Sequence, residues 1–432
     1  MKSLPIVALI GQTNAGKSSL LNRMARQNIA IVAREEGTTR DNVVVTIDNE
    51  FILIDTAGLK APEDDFEASI QDQIADAIDT ADLILLTVDA TKYPDYRDKE
   101  IAKKALKSKK PVLLLLNKSD KGDSLSFDDF KSLGIKETET IRTSATTGQG
   151  TAELKTRISD FISYSEGHPE RASADIKLAL IGRPNVGKSS LFNTLAKKQQ
   201  AIVSSRQGTT RDINRVQIKF KGQNLEILDT AGLRKPGKRE VGIEKFSAIR
   251  TLAAIEEADI CALLVDATEP HAKLDQTLAG QIVKAGKGIV VVLTKADLVT
   301  DTDEILDKLE YDFNFLPFAP VLITSSETGK NVTKLFELAQ QIQESRNHQL
   351  KTSELNKILQ EAIAEHPPAG LKNTHPKPKY IVQTDTCPPW FVVHGHELQL
   401  LHWSYKRFLE RKIREYYHYI GTPIMLSFKN DN

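Results

Sequence analysis

Short, mostly apolar runs punctuate the chain at residues 6–10, 51–54, 83–88 and 112–116, separated by stretches of helical periodicity. Runs of this length without internal alternation read as parallel strands buried on both faces. Such runs, 112–116 and 289–293 among them, fall well short of the ~18 apolar residues of a membrane span. Apolar strands alternating with helices predict βαβ units and a mostly parallel sheet with helices on both faces. After about residue 344 the pattern changes. A helical stretch with Leu355, Ile358, Leu359, Ala362 and Ile363 stops at Pro367-Pro368. Strands follow at 380–383 and 390–394, then a basic helix around 404–417 and a last strand at 423–428.

The first pattern occurs twice. Gly11-Gln12-Thr13-Asn14-Ala15-Gly16-Lys17-Ser18 recurs 171 residues later as Gly182-Arg183-Pro184-Asn185-Val186-Gly187-Lys188-Ser189. The segment from Gly37 to Asp41 recurs at Gly208 to Asp212, also at 171. Asp55-Thr56-Ala57-Gly58-Leu59 returns at 174 as Asp229-Thr230-Ala231-Gly232-Leu233. At an offset of 177, Val88-Asp89-Ala90-Thr91 matches Val265 to Thr268, and Asn117-Lys118-Ser119-Asp120 matches Thr294-Lys295-Ala296-Asp297. Solenoid repeats have periods of some 20–50 residues, whereas this period is that of a whole domain. The reading is an α/β fold class: two tandem P-loop domains at 4–163 and 176–344, a linker at 164–175 carrying Gly167 and Pro169, and a small α+β domain at 345–432.

Composition narrows the functional classes. With 432 residues, 40% hydrophobic and 27% charged, there is chain enough for several cores. Lys and Arg number 58, as do Asp and Glu, so any RNA-binding surface must be a local patch. From His348 onward there are 11 Lys and Arg against 8 Asp and Glu, with seven of the nine histidines, which makes that segment the place to look. Cys261 and Cys387 lack disulfide or metal spacing and read as inert thiols in a reducing compartment. The apolar residues 4–10 run straight into a glycine-rich loop, so they form a first strand and not a signal peptide. No lipidation signal is present. The expectation is a cytoplasmic protein without membrane attachment.

The repeated parts carry chemistry. Gly-x-x-x-x-Gly-Lys-Ser between a strand and a helix is the phosphate-binding P-loop, in which backbone N–H groups and the helix dipole face the phosphates. Lys17 and Lys188 would reach the β and γ phosphates, and Ser18 and Ser189 would ligate Mg²⁺. Asp120 accepts both the ring N–H and the exocyclic amine of guanine; adenine would leave it unpaired. Thr294 replaces the first copy's asparagine, yet Lys295 and Asp297 remain, so guanine is expected at both sites. Ser144-Ala145 and Ser325-Ser326 stand where a backbone N–H meets the guanine carbonyl. Asp55 and Asp229 should hold Mg²⁺ through water. Thr39 and Thr210 are the switch I ligands, with Thr38 and Thr209 as alternatives. Arg40-Asp41 and Arg211-Asp212 read equally as switch residues or solvated pairs.

On these motifs, with the C-terminal segments at Pro388-Pro389-Trp390, Ser404-Tyr405-Lys406-Arg407-Phe408-Leu409, Arg414-Glu415 and Gly421-Thr422-Pro423-Ile424, the chain resembles the double-Era-like GTPase family called Der or EngA over essentially its whole length. The resemblance implies a bacterial GTPase that binds the large (50S) ribosomal subunit and its rRNA, assists its late assembly, and is monomeric off the ribosome. Related potassium-activated GTPases use a P-loop asparagine to bind K⁺, which makes Asn14 and Asn185 candidate K⁺ ligands; an asparagine that merely caps the loop is the other reading. Leu59 and Leu233 stand where many GTPases orient the attacking water with glutamine, so intrinsic hydrolysis should be slow.

The KH assignment meets one departure. KH domains clamp RNA with a Gly-x-x-Gly loop, and the only glycines after residue 344 are Gly370, Gly395 and Gly421. RNA contact would instead use Lys406, Arg407, Arg411, Lys412 and Arg414 with Trp403 and Tyr405, unless that face is solvated or packs on a G domain. The basic run Arg234, Lys235, Lys238 and Arg239 follows the second Asp-x-x-Gly and would move with switch II. The rival reading is a signalling or trafficking switch acting on protein partners. A third makes the C-terminal domain an intramolecular brace.

Overall fold

The computed structural model describes residues 4–29, 44–48, 50–56, 70–165, 174–198, 214–229, 248–269, 273–299, 301–368, 370 and 374–431. These form two compact units: Met1–Ser173 with Ser247–Glu257, and Ala174–Phe246 with Ala258–Asn432.

The first unit holds β1 (Ile6–Ile10), α1 (Lys17–Ile29), β2 (Val44–Ile47), β3 (Phe51–Asp55) and α2 (Ile70–Thr80). It continues with β4 (Leu83–Asp89), α3 (Tyr96–Lys107), β5 (Val112–Asn117), β6 (Thr140–Thr143) and α4 (Thr151–Ser165). The sheet order is β2-β3-β1-β4-β5-β6, antiparallel only between β2 and β3. Because strand side chains alternate faces, one strand feeds two cores. Val7 and Leu9 pack with Leu20, Leu21, Leu154 and Ile158 of α1 and α4. Ala8 and Ile10 pack on the opposite face with Ile74, Ile78, Ile101 and Ala105 of α2 and α3. That two-sided burial explains why the central strands are unbroken apolar runs. The helix α4 reaches Ser165, so the first residues of the expected linker are helical.

The second unit repeats the plan with β7 (Ile176–Ile181), α5 (Lys188–Lys198), β8 (Asn214–Phe220) and β9 (Gln223–Asp229). The next helix in the chain, α6 (Ala248–Glu257), belongs to the first unit, where Ile249 and Ala253 join the core beside α2. Then come β10 (Ile260–Asp266), α7 (Lys273–Lys284), β11 (Gly288–Thr294), α8 (Thr302–Asp312), β12 (Val321–Ile323) and α9 (Lys334–Asn347). The order β8-β9-β7-β10-β11-β12 matches the first sheet strand for strand. In both sheets the first strand (β1 or β7) lies between strands reached in opposite directions, the switch point at whose carboxyl end open α/β sheets bind ligands.

The C-terminal elements are α10 (Thr352–Glu365), β13 (Lys377–Thr386), β14 (Pro389–His396), α11 (Trp403–Tyr416) and β15 (Met425–Asn430). The strands pair in the order β13-β14-β15, and the parallel β14–β15 pair is joined through α11, as a parallel crossover requires. Leu355, Leu359, Leu409 and Ile413 pack on Ile381, Phe391 and Val393. Among the described residues no helix is long and apolar enough to cross a membrane.

Within the second unit the C-terminal elements are tied to the large sheet by backbone. The Ile289 N–H donates to the Gly421 carbonyl, and the Gly421 N–H to the Phe318 carbonyl, both at 2.7 Å. Gly421 has φ +61°, and a Cβ there would lie 2.5 Å from the Ile342 side chain and 2.9 Å from the Ile289 carbonyl oxygen. Buried Arg346, at the end of α9, donates to the Gly286 carbonyl at 3.0 Å. Gly421→Ala should therefore destabilise by about 2 kcal/mol or more, from left-handed backbone strain plus overpacking. Gly122→Ala, where nothing lies within 4 Å, should change little. Denaturant unfolding of the two variants checks the pair.

Candidate functional site

Both P-loops take the same path from the switch-point strand into a helix. Asn14 and Asn185 adopt φ of +69° and +62°, a left-handed conformation that asparagine tolerates better than most side chains. That backbone already accounts for asparagine at both positions. Gly16 lies against the Asn117 side-chain amide, where a Cβ would sit 2.2 Å from Nδ2. The lysine folds back over the loop. Lys17 Nζ donates to the carbonyls of Gly11 and Gln12 at 2.9 and 2.8 Å, and Lys188 Nζ to those of Gly182 and Arg183 at 2.9 and 2.6 Å. They are only 3% and 8% exposed. Burial pulls the Lys17 ammonium below its usual range, against an opposing pull from Asp55. The first turns of α1 and α5 carry no acidic residue, unlike those of α3, α8 and α10. Their positive ends are left for an external anion.

Beside the loop, the Ser18 hydroxyl donates to the Asp55 carboxylate in a short contact, and Thr56 Oγ1 donates to the Leu9 carbonyl at 3.0 Å. Asp229 ends β9, buried, in the equivalent place. Among the described residues no cluster of three or more His, Cys, Asp or Glu side chains could hold a metal; an ion here would draw on hydroxyls and water as well. Thr39, Thr210, Ala57, Gly58, Leu59, Thr230, Ala231, Gly232 and Leu233 lie outside the described residues, as do Arg234, Lys235, Lys238 and Arg239.

The other wall is the Asn-Lys-x-Asp segment at the end of β5 and its Thr-Lys-x-Asp counterpart at the end of β11. Asn117 Nδ2 donates to the Ala15 carbonyl at 2.8 Å, tying the wall to the phosphate loop. Thr294 does the same with a shorter side chain: its Oγ1 lies 2.7 Å from the Val186 carbonyl, the matching residue. The substitution thus keeps the tie between base wall and phosphate loop. Lys118 and Lys295 sit at φ +64° and +56° and reach Asp89 and Asp266, each at 2.6 Å. Burial pushes both carboxyls up, but hydrogen bonds from the lysine and from Thr91 or Thr268 outweigh it and hold them below the usual range. The N–H groups of Ser119 and Ala296 donate to the carbonyls of Thr143 and Thr324 at 3.1 and 3.2 Å, so the following segment backs the wall in both copies. Asp120 and Asp297 are exposed; Ser144 and Ser325 are buried. Asp89 and Asp266 were visible to sequence reading only as part of a repeated Val-Asp-Ala-Thr. Their partners, 29 residues downstream, emerge from the fold.

The basic helix α11 is not uniformly outward. Arg414 pairs with Glu410 at 3.0 Å, donates to the Tyr419 and Thr422 carbonyls at 3.3 and 3.0 Å, and stacks on Phe318 at 4.3 Å. It is a packing residue. Lys412 is held by Glu365 and Glu415. Tyr405 is buried, which pushes its hydroxyl up to about 12; it is not a surface aromatic. What remains outward is Trp403, 60% exposed with Arg407 4.8 Å over its ring, together with Arg411.

Comparison with known proteins follows the same division. The family model described as "50S ribosome-binding GTPase" matches twice, at residues 6–118 and 177–295. The model described as "KH-domain-like of EngA bacterial GTPase enzymes, C-terminal" matches residues 349–429. The chain is 40% identical to GTPase Der of Thermomicrobium roseum, over 99% of this chain and 96% of that protein. It is 38% identical to GTPase Der of Herpetosiphon aurantiacus, over 98% and 96%, and 39% identical to that of Caldanaerobacter subterraneus subsp. tengcongensis, over 99% of each. With two copies of the nucleotide-site scaffold, an EngA-type KH-like domain and full-length relatives all in agreement, the chain belongs to the GTPase Der family.

Proposed function

We propose that each G domain hydrolyses GTP to GDP and phosphate, and that the nucleotide state governs docking on the large ribosomal subunit in the cytoplasm during its assembly, by a chain that is monomeric off the ribosome. The observation that supports this best is the doubling. In both copies a buried lysine, a helix terminus free of acid and a wall ending in an exposed aspartate meet at the carboxyl edge of one sheet. The name of the family model that matches both copies supports the ribosomal part of the reading.

The loops Gly11 to Ser18 and Gly182 to Ser189 cradle the phosphates with backbone N–H groups, and Lys17 and Lys188 trade loop carbonyls for phosphate oxygens. Asp120 and Asp297 read the guanine edge, backed by Lys118 and Lys295. The joined hydroxyl and carboxylate of Ser18 and Asp55 are hard oxygen donors that suit Mg²⁺. Ser18 and Ser189, with Thr39 and Thr210 and, through water, Asp55 and Asp229, would hold it. There the ion neutralises charge that builds between the β and γ phosphates. Leu59 and Leu233 cannot orient the attacking water, which leaves a slow intrinsic rate. Asn14 and Asn185 are the groups through which K⁺ would raise it.

Asp120→Asn and Asp297→Asn should each convert one site from guanine to xanthine nucleotides, read by titration with labelled GDP and XDP; equal ATP and GTP affinity at either site would sink the assignment. Steady-state hydrolysis should be faster in potassium than in sodium, with Asn14→Ala and Asn185→Ala each removing one site's share. Equal rates in the two salts would dismiss K⁺.

Pelleting with large subunits over a sucrose cushion should recover different amounts of protein with a GTP analogue and with GDP. Recovery should fall steeply between roughly 50 and 200 mM salt as phosphate contacts release counterions. Arg407→Ala with Arg411→Ala should weaken pelleting and spare nucleotide binding, because neither side chain is committed to packing as Arg414 is. Equal recovery in both nucleotide states would mean a constitutive binder, and none in either would favour a switch that acts on protein partners.

A further inference from the structure

The two phosphate loops are braced on their outer side by different chemistry. In the first, the Gln12 amide donates to the Asp95 carboxylate at 2.7 Å. Asp95 is the exposed N-cap of α3, and the same carboxylate oxygen takes the Arg97 and Asp98 N–H groups at 2.8 and 3.1 Å. This brace is a neutral donor on a solvated acid. At the matching position of the second loop stands Arg183. Its Nε lies 3.3 Å from Asp275 Oδ2 and its Nη1 2.5 Å from Glu269 Oε2, while Nη2 donates to the Glu269 carbonyl. Asp275, in the first turn of α7, is fully buried, and the Arg183 side chain is 15% exposed. Asp275 is the counterpart of Asp98, 177 residues on. Asp98 is also pushed up by burial and also meets the first loop, but through the Gln12 amide and not a guanidinium, and it accepts the Asp95 N–H in the cap of its own helix.

The link to the site is the backbone. One of the two oxygens that seat Lys188 is the Arg183 carbonyl, at 2.6 Å. We propose that Asp275 is a positioning residue of the second site: through the Arg183 guanidinium it fixes the phosphate loop and the seat of Lys188, an ionic brace where the first loop has an amide. This rests on the second loop binding nucleotide, as proposed above.

The brace carries a pH signature. Burial pushes the Asp275 carboxyl up to about 7, against the pull of Arg183 and with Glu269 and Asp266 adding to the rise. These charges face it from the loop, from the segment before α7 and from the end of β10; Lys295, at the end of β11, is committed to Asp266. Below that pH Asp275 is neutral and the ion pair is lost. Above it the brace is complete, so affinity at the second site should rise with pH. Folding stability runs the other way: a carboxyl raised on folding favours the native state at low pH and gives up that stability as pH climbs toward 7. Opposite pH slopes for binding and stability are not what simple packing produces.

The test uses the full chain with labelled GDP, isolating the second site by Asp120→Asn and the first by Asp297→Asn. Affinity at the second site should rise roughly fivefold more than at the first between pH 6 and 8, the scale of one modest ion pair. Ionisation of the nucleotide's own phosphates is common to both sites and cancels. Adding Asp275→Asn should bring the second site's slope to that of the first, and Arg183→Gln, which installs the first loop's residue, should do the same if Asp275→Asn folds poorly. Equal slopes at the two sites before either substitution, or a difference in slope that survives both, would overturn the brace. Failure of labelled GDP to bind the second site at any pH would instead overturn the nucleotide reading on which it rests.

Discussion

A buried ammonium group sets the terms for this structure. Removing a lysine from water is costly unless its charge is met by oxygen. At Lys17 and Lys188 the nearest oxygens are the carbonyls that open the loop. For those carbonyls to converge on one side chain the loop must turn back on itself, which the left-handed asparagines allow. The strand that delivers the loop must end at the sheet's switch point, and the next strand but one must present a hydrogen-bonding side chain to its flank. Asn117 and Thr294 do so.

Duplication shows which parts of the arrangement are constrained and which are free. Seat, wall and lysine–carboxylate anchor persist in both copies with nearly equal distances. Asn117 and Thr294 differ in chemistry but contact equivalent backbone carbonyls, and Gln12 and Arg183 brace matching loop positions on different carboxylates. One backbone geometry can thus be supported by different side chains, and the two sites can diverge in electrostatics without diverging in shape.

Much of this was legible in the chain. Buried parallel strands announce themselves as apolar runs because both faces meet helices, and the repeated Gly-Lys-Ser and Lys-x-Asp segments lie at the carboxyl edges of the sheets. The edge strands β2, β6, β8 and β12 were not legible, since they are short or half-exposed and lack a continuous apolar run. The pairing of Lys118 with Asp89 was hidden by sequence distance, and so was the pairing of Arg183 with Asp275. In α11 the charge run concealed two different fates. Arg414 and Arg411 look alike in sequence, but only Arg414 lies over Phe318 with carbonyls in reach. The place of α6 in the first unit has no signal in its own amphipathic pattern, which says that one face is buried but not against what.

The two backbone bonds at Gly421 also have a mechanical side. The Ile289 N–H that meets Gly421 lies at the start of β11, and the same strand ends at Thr294, beside Lys295 and Asp297. A seven-residue strand paired on both sides by β10 and β12 is stiff along its length, spanning about 23 Å. One end of this rigid span therefore carries the C-terminal domain's backbone and the other carries the wall beside the second P-loop.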